Sequence, residues 1–156
     1  MTSSDACGLT YALSDTDKDK FSLHDCRAKK VVLDGNLLTF VFPDGIFFEE
    51  YGDDWPNTGP AELAYATEGG VSVYLFEDMD GYEIRTAYTI EQLADKVNSG
   101  EWELEFAYQY DGFHEVFHTG WIWQEHEPWS RECQLFIGIK QDAVYRWNPP
   151  AAERKD

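Results

Sequence analysis

The chain has 156 residues, which is enough for one domain with a hydrophobic core and too few for two full ones. Its hydrophobic content of 43% and aromatic content of 16% exclude a disordered chain. With 12 Lys and Arg against 30 Asp and Glu the formal charge is −18, which argues against direct binding to nucleic acid or to an anionic membrane.

The beginning of the chain has no basic segment followed by an apolar run, so we expect no secretory signal. No apolar stretch is long enough for a transmembrane helix. Three cysteines, Cys7, Cys26 and Cys133, lie far apart in the sequence. An odd and sparse set favours reduced thiols and therefore a cytoplasmic location. A disulfide that leaves one thiol free is the less favoured alternative.

Asp15, Asp17 and Asp19 alternate as the first ligands of an EF-hand loop do. The rest of that loop is missing, because Lys20 occupies the position of the required glycine and Cys26 that of the bidentate glutamate. The segment is therefore predicted to be a solvated turn before a strand, and no metal site is expected in the chain.

Residues 37–51 have the pattern of an aromatic hairpin. The run Phe42-Pro43-Asp44-Gly45 is typical of a type I turn in which Gly45 takes the left-handed conformation. One face of the resulting ribbon would be apolar, so it must pack against a core. The predicted cross-strand pairs are Phe42 with Ile46, Phe40 with Phe48 and Leu38 with Glu50.

Two more Asp-Gly turns are predicted downstream, at Asp80-Gly81 and at Asp111-Gly112. The second would be a two-residue hairpin turn that pairs Tyr110 with Phe113. Apolar residues alternate on its first strand, which predicts one core-facing row across the hairpin. That row is Trp102, Leu104, Phe106, Tyr108 and Tyr110, opposite Phe113, Phe117, Trp121 and Trp123.

One helix is predicted, from Ile90 to about Asn98. Thr89 is a hydroxyl N-cap, and Gln92 three positions later completes a capping box. The apolar positions Ile90, Leu93, Ala94 and Val97 would share one face, and Gly100 would end the helix.

About nine strands joined mostly by short turns favour an antiparallel sheet that closes as a sandwich or a barrel. The fold class predicted is therefore mainly β: a single-domain antiparallel β-sandwich or barrel with one short α-helix. This β-rich domain would occupy residues 1–150, and residues 151–156 would form a frayed C-terminal tail.

His114 and His118 superficially resemble a helical zinc pair. On the predicted strand, however, four residues span roughly 13 Å, which is too far for two ligands of one ion. The predicted register instead places His118 opposite Glu105 on the solvated face, where the two would form an ion pair.

Glu115 would lie on the aromatic face, opposite Tyr108. If the sheet encloses a cavity, these two side chains would be the polar groups of an apolar ligand pocket. If it does not, Glu115 lies near the open end of the sheet with its carboxylate in water. The second interpretation is favoured, because unpaired carboxylates are rarely buried.

The distribution of charge is the strongest indication of function. Residues 31–84 contain twelve Asp and Glu and residues 97–130 contain seven, and neither segment has a Lys or Arg. A clustered negative field of this kind favours binding to a basic protein. The predicted contacts are the densest acidic run with its tryptophan and a second tryptophan loop: Glu49, Glu50, Asp53, Asp54 and Trp55, then Glu125, Glu127 and Trp129.

The sequence contains no glycine-rich phosphate loop, nucleophile elbow or Cys-His signature, so catalysis is not expected. We predict a non-catalytic intracellular binding protein without a cofactor, of the inhibitor or immunity-protein type, whose acidic face captures a basic protein. The alternative is a small-ligand or carbohydrate-binding β domain with an aromatic pocket that contains Tyr108 and Glu115.

Overall fold

The fold is built on one long strand that takes part in two antiparallel sheets. The structure is a computed structural model, and it describes residues 3–4, 10–52 and 56–150. Within these residues there are one α-helix, α1 (Ile90–Asn98), and two 3₁₀ turns, Lys18–Lys20 and Glu49–Tyr51. The strands are β1 (Ser3–Ser4), β2 (Thr10–Tyr11), β3 (Leu13–Asp15), β4 (Phe21–Ser22), β5 (Arg27–Ala28), β6 (Lys30–Asp34), β7 (Leu37–Phe42), β8 (Phe47–Phe48), β9 (Ala61–Met79), β10 (Tyr82–Tyr88), β11 (Glu103–Gly112), β12 (Glu115–Trp123), β13 (Ser130–Ile139) and β14 (Val144–Trp147).

The two halves of β9 pair with different neighbours. The first half lies between β14 and β7 in sheet 1, whose order is β3-β14-β9-β7-β6. The second half lies between β10 and β13 in sheet 2, whose order is β10-β9-β13-β12-β11-β5. Gly69 and Gly70 lie where β9 passes from one sheet to the other, and their φ angles of 86° and 97° are ones that side-chain-bearing residues rarely adopt.

The predicted fold class is confirmed as a mainly β single domain with one helix. Within the described ranges the strand order does not close on itself, so the architecture is a sandwich. The space between the sheets is filled by aromatic and aliphatic side chains that are almost completely buried. Prominent among them are Phe40, Phe42, Leu63, Leu75, Phe106 and Leu135.

The predicted helix is confirmed with its capping box. The amide of Gln92 donates to Thr89 Oγ1 at 3.0 Å, and the amide of Thr89 donates to Gln92 Oε1 at 2.8 Å. At the other end of α1, the side chain of Asn98 pairs with the backbone of Val31 through two hydrogen bonds of 2.8 and 2.7 Å. The helix therefore covers the outer edge of β6 at Val31 as well as burying its apolar face.

The predicted hairpin over residues 37–51 is wrong, although its turn is correct. The amide of Gly45 donates to the Phe42 carbonyl at 3.0 Å, and Gly45 has a φ of 93°. The strands on either side of this turn do not pair with each other: β7 pairs with β6 and β9, and β8 pairs with β4. The physical reason is that residues 38–42 are buried on both faces, so β7 belongs inside a sheet between two partners.

The Asp80-Gly81 hairpin is confirmed, with Met79 opposite Tyr82. The β11–β12 hairpin forms in another register than predicted, because its turn is Phe113-His114 and Gly112 lies opposite Glu115. A bulge between Phe106 and Gln109 then reverses which side chains point inward. As a result Tyr108 and Tyr110 are exposed, whereas Val116, His118 and Ile122 are buried.

Cys26 and Cys133 are free thiols in the core, and burial raises the pKa of each to about 12. Cys7 and the predicted tail at residues 151–156 lie outside the described residues. Asp15 accepts a hydrogen bond from the amide of Asp17, and Lys20 Nζ lies 3.4 Å from the Asp15 carboxylate, as in a solvated turn. Across the described part of the chain, no helix has the length and apolar character needed to cross a bilayer.

Candidate partner-binding surface

The loop between β12 and β13 presents a tryptophan to solvent. Residues 125–129 are all exposed, and 56% of the Trp129 surface is accessible. The loop leaves β12 at Trp123 and enters β13 at Ser130, which are opposite each other in the sheet. Its position at the end of sheet 2 is thus fixed by two paired strands.

The side chain of Gln124 holds this loop in place. It is 92% buried, and its Nε2 donates to the carbonyl of Pro128 at 2.6 Å and to that of His126 at 3.3 Å. The backbone amide of Gln124 donates to the Trp129 carbonyl at 3.0 Å, and Arg131 Nη2 donates to Gln124 Oε1 at 3.3 Å. Trp129 is therefore displayed on an ordered loop, which lowers the entropic cost of using it in an interface.

A groove of about 380 Å³ lies on one side of Trp129 and is bordered by a second indole, Trp123. Its only cation among the described residues, Arg27, lies over the Trp123 ring at 4.8 Å and donates to Glu105 Oε1 at 3.1 Å. The same guanidinium donates to Glu103 Oε1 at 3.0 Å. The carboxylates that line this groove are Glu101, Glu103 and Glu125.

A larger groove of about 810 Å³ lies on the other side of Trp129 and contains Trp121, which is 41% exposed. Arg131 is the cation of this groove, and its Nη1 lies 3.8 Å from Glu77 Oε1. The guanidinium also lies over the Trp102 ring at 5.1 Å. Five carboxylates line this groove: Glu77, Asp78, Glu83, Glu127 and Glu132.

Trp129 thus lies between two grooves that together present eight carboxylates, three in the smaller and five in the larger. The two arginines among the described lining residues are paired with carboxylates and offset only two of the eight negative charges, so the surface keeps a net negative field. We call Trp129 with these two grooves the Trp129 surface. Its chemistry, indole rings among excess carboxylates, suits a ligand with exposed cations and an apolar cleft.

The structure places Glu125, Glu127 and Trp129 on this surface, all three in the predicted tryptophan loop. It also adds residues that sequence reasoning missed. Trp121 and Trp123 were predicted to be core residues, and this is wrong because the β12 register turns them outward. The acids contributed by β9, β10 and β11 carry no local sequence signal, since only the order of strands places them beside the loop.

The other predicted acidic patch lies elsewhere. Glu49 and Glu50 are exposed in the 3₁₀ turn after β8, and neither groove of the Trp129 surface is lined by them. Asp53, Asp54 and Trp55 lie outside the described residues.

His118 is buried in the core, and its predicted ion pair with Glu105 is wrong. It lies opposite Gln109 instead, and a hydrogen bond of 2.7 Å joins His118 Nε2 to the hydroxyl of Tyr65. Burial lowers the pKa of His118 to about 3, so the imidazole is neutral, and burial raises the pKa of Tyr65 well above its usual value. In the described chain no three His, Cys, Asp or Glu side chains are placed to hold a metal ion.

Two cavities open on either side of this buried pair. One, of about 450 Å³, reaches Tyr65 and has Glu115 among its lining residues, and the other, of about 510 Å³, reaches His118 and has Tyr108. The prediction that Glu115 lies opposite Tyr108 is wrong, because the observed register pairs Glu115 with Gly112. Glu115 is exposed at the end of the sheet, as the favoured interpretation had it.

The Trp129 surface and the Tyr65–His118 pair each place polar side chains beside a groove or a cavity. Comparison of the chain with protein-family models, with curated proteins and with solved structures gives no match.

Proposed function

We propose that this protein is a non-catalytic binding protein that captures a basic protein through the Trp129 surface. The observation that carries the proposal is the exposed Trp129, held by Gln124 between two grooves lined with carboxylates. An indole that is carried on an ordered loop, among carboxylates that outnumber the arginines, combines the two properties that such an interface needs.

The charges and the indole have different roles. The carboxylates attract a cationic partner over a distance and speed its encounter with the surface. They contribute less to the final affinity, because stripping water from a charge offsets much of its attraction to a counter-charge. Trp129 supplies the affinity, since a large aromatic side chain that enters a cleft on the partner is the commonest kind of interface hot spot.

Replacing Trp129 with alanine is expected to weaken partner binding by about 2 kcal/mol or more, or roughly thirtyfold in Kd. The partner would first be recovered from native cell extract at low salt and purified, and Kd would then be measured by calorimetry. Stability should change little, because the side chain is mostly exposed.

The matched control is Phe113→Ala, which removes another exposed aromatic side chain, one that lines neither groove. It should leave Kd unchanged. If Trp129→Ala binds as tightly as the wild type, or if both variants lose affinity equally, the Trp129 surface is not the interface.

A second candidate function rests on the two cavities beside the Tyr65–His118 pair. Each cavity reaches one uncharged polar group of this pair, because burial keeps the imidazole and the phenol neutral, and charged side chains such as Lys18 and Asp111 line both cavities as well. Such a site would suit a small uncharged ligand that has hydrogen-bonding groups, a sugar for example. A glycan array and an apolar fluorescent dye that both show no binding would set this candidate aside.

A further inference from the structure

Strand β10 presents an open edge to solvent. Among the described strands it pairs with β9 alone, and residues 82–87 are all exposed. Its register with β9 runs without a bulge over seven residues, and it contains no proline. Regular edges of this length are a risk for a monomer, because their free N–H and C=O groups can pair with another strand.

Most other edges in the described structure are short or partly covered, although the end of β11 beyond Phe106 also has no strand on its outer side. Strand β5 has two residues and β3 has three, and the outer edge of β6 is occupied at Val31 by the side chain of Asn98. The edge of β10 is longer and more regular than these, because it has seven residues in register with β9 and no bulge, so it is the best placed to pair with another strand.

The hairpin geometry decides which groups face that edge. Asp80 and Gly81 have φ angles of 54° and 83°, so they form a two-residue turn closed by the pair Met79 and Tyr82. The closing pair of such a turn shares both of its hydrogen bonds, and the pattern then alternates along the strand. Glu83, Arg85 and Ala87 therefore direct their backbone N–H and C=O groups toward the open edge.

A second copy of β10 fits this edge in an antiparallel register. Outward-directed residues must bond to each other, and near the strand centre this leaves three registers. The one with Thr86 at the two-fold axis sets Arg85 opposite Ala87 and offers no charge pair, so two remain to be compared. One places Arg85 opposite its own copy and is opposed by repulsion. The other places Glu83 opposite Arg85 twice and Ile84 opposite its own copy at the two-fold axis.

We propose that the protein forms a symmetric dimer in which β10 of each protomer pairs in this second register. Glu83 and Arg85 lie two residues apart and so on the same face, where they can meet across the new strand pair. The Arg85 guanidinium lies over the Tyr74 ring at 4.4 Å, which places it above the outer face of sheet 2. Pairing would also bury part of the side-chain surface of Ile84 and Tyr82, which are 43% and 73% exposed.

The charge of the strand favours a second copy over the basic partner proposed above. Residues 82–88 contain one acid and one base, so this strand carries no net charge, unlike the Trp129 surface. A cationic strand would gain the contact with Glu83 but would place its charge against Arg85. Glu83 also lines the larger groove of the Trp129 surface, so the dimer and the capture of a basic protein share one carboxylate. Sedimentation of the isolated chain tests the dimer alone, because no basic partner is present.

Charge reversal tests the register. Sedimentation equilibrium over a concentration series should show wild-type chains approaching twice the 18.0 kDa mass of one chain. Arg85→Glu places like charges opposite each other at two positions, as does Glu83→Arg, and each should raise the dissociation constant about tenfold or more. The double variant Glu83→Arg/Arg85→Glu restores opposite charges and should restore the dimer. A wild-type chain that stays monomeric, or a double variant no better than the single ones, overturns the proposal.

A cross-linking test does not depend on those charges. At the two-fold axis the Ile84 Cα atoms would be about 4.5 Å apart, as in a non-hydrogen-bonded antiparallel pair, which is within disulfide range. In a Cys7→Ser background, Ile84→Cys chains should therefore form a covalent dimer under mild oxidation. Thr86→Cys is the control, because its two copies would be roughly 13 Å apart. Equal cross-linking of both variants, or none with Ile84→Cys, contradicts the register.

Discussion

Replacing His118 with glutamine is expected to make folding stability less sensitive to acid between about pH 6 and pH 4. Burial lowers the pKa of His118 from 6.5 to about 3, so over this range the unfolded chain takes up a proton that the folded chain does not. The imidazole's contribution to stability is therefore complete above pH 6.5 and is lost as the pH falls toward 3. At ~1.4 kcal/mol per pH unit, the wild type should lose about 2 to 3 kcal/mol more than the variant between pH 6 and pH 4.

Urea unfolding at several pH values measures this difference. Carboxylates titrate in the same range, but they are common to both chains and cancel in the comparison. Tyr65→Phe is the matched control, because it removes the hydrogen bond to His118 but leaves the imidazole in the core. That variant should retain the acid sensitivity of the wild type. If His118→Gln and the wild type respond equally to pH, His118 is not buried as a neutral group.

Gly120→Ala is expected to destabilise the fold by about 3 kcal/mol, with a fall in Tm of about 10 °C. Gly120 lies on β12 opposite Phe106, and a Cβ there would overlap the carbonyl oxygen of Glu105 on β11. Because that oxygen is backbone, the clash can be relieved only by moving β11.

Gly112→Ala in the same hairpin is the control, because its Cβ would meet no atom closer than 3.7 Å. Thermal unfolding should show little change for it. Equal stability of the two variants would mean that β11 and β12 are not in the observed register, which also determines the burial of His118.

The parts of the fold that local chemistry specifies could be predicted from the sequence. The helix is one, because its N-cap, its apolar face and its terminating glycine all lie within residues 89–100. The Asp80-Gly81 turn is another, because a two-residue turn requires backbone conformations that Asp and Gly adopt readily.

The register of β12 could not be predicted in this way. Both of its faces carry large apolar side chains, Val116 and Ile122 on one and Phe117 and Trp121 on the other, so alternation does not say which is inside. The bulge in β11 and the hydrogen bond between His118 and Tyr65 on β9 decide which face of β12 is buried. The partners of β7 were missed for a similar reason, since a strand buried on both faces has no periodicity to read.

On the Trp129 surface, too, the features set by the local sequence could be predicted and those set by strand order could not. Trp129 could be predicted to be exposed, because it follows Pro128 in a polar loop. The grooves could not, because Glu83 and Glu101 lie in segments that only the strand order of sheet 2 brings to this loop.

If the Trp129 surface attracts a basic partner, its carboxylates must speed the encounter, so the rate of association should fall as salt is added. Glu125→Gln/Glu127→Gln removes two charges from this surface, and Asp34→Asn/Glu68→Gln removes two exposed charges elsewhere. A third chain, Glu49→Gln/Glu50→Gln, reports on the other predicted patch. Each of these three variants has lost two negative charges, so they carry the same total charge and differ only in which part of the surface lost them.

We expect the wild-type rate to exceed its high-salt value by roughly tenfold to a thousandfold at low ionic strength. The Glu125→Gln/Glu127→Gln chain should associate more slowly and with a weaker salt dependence, while the Asp34→Asn/Glu68→Gln chain should resemble the wild type. A rate that does not respond to salt, or one that falls equally in all three variants, would contradict the claim and leave the negative charge as a general property of the surface.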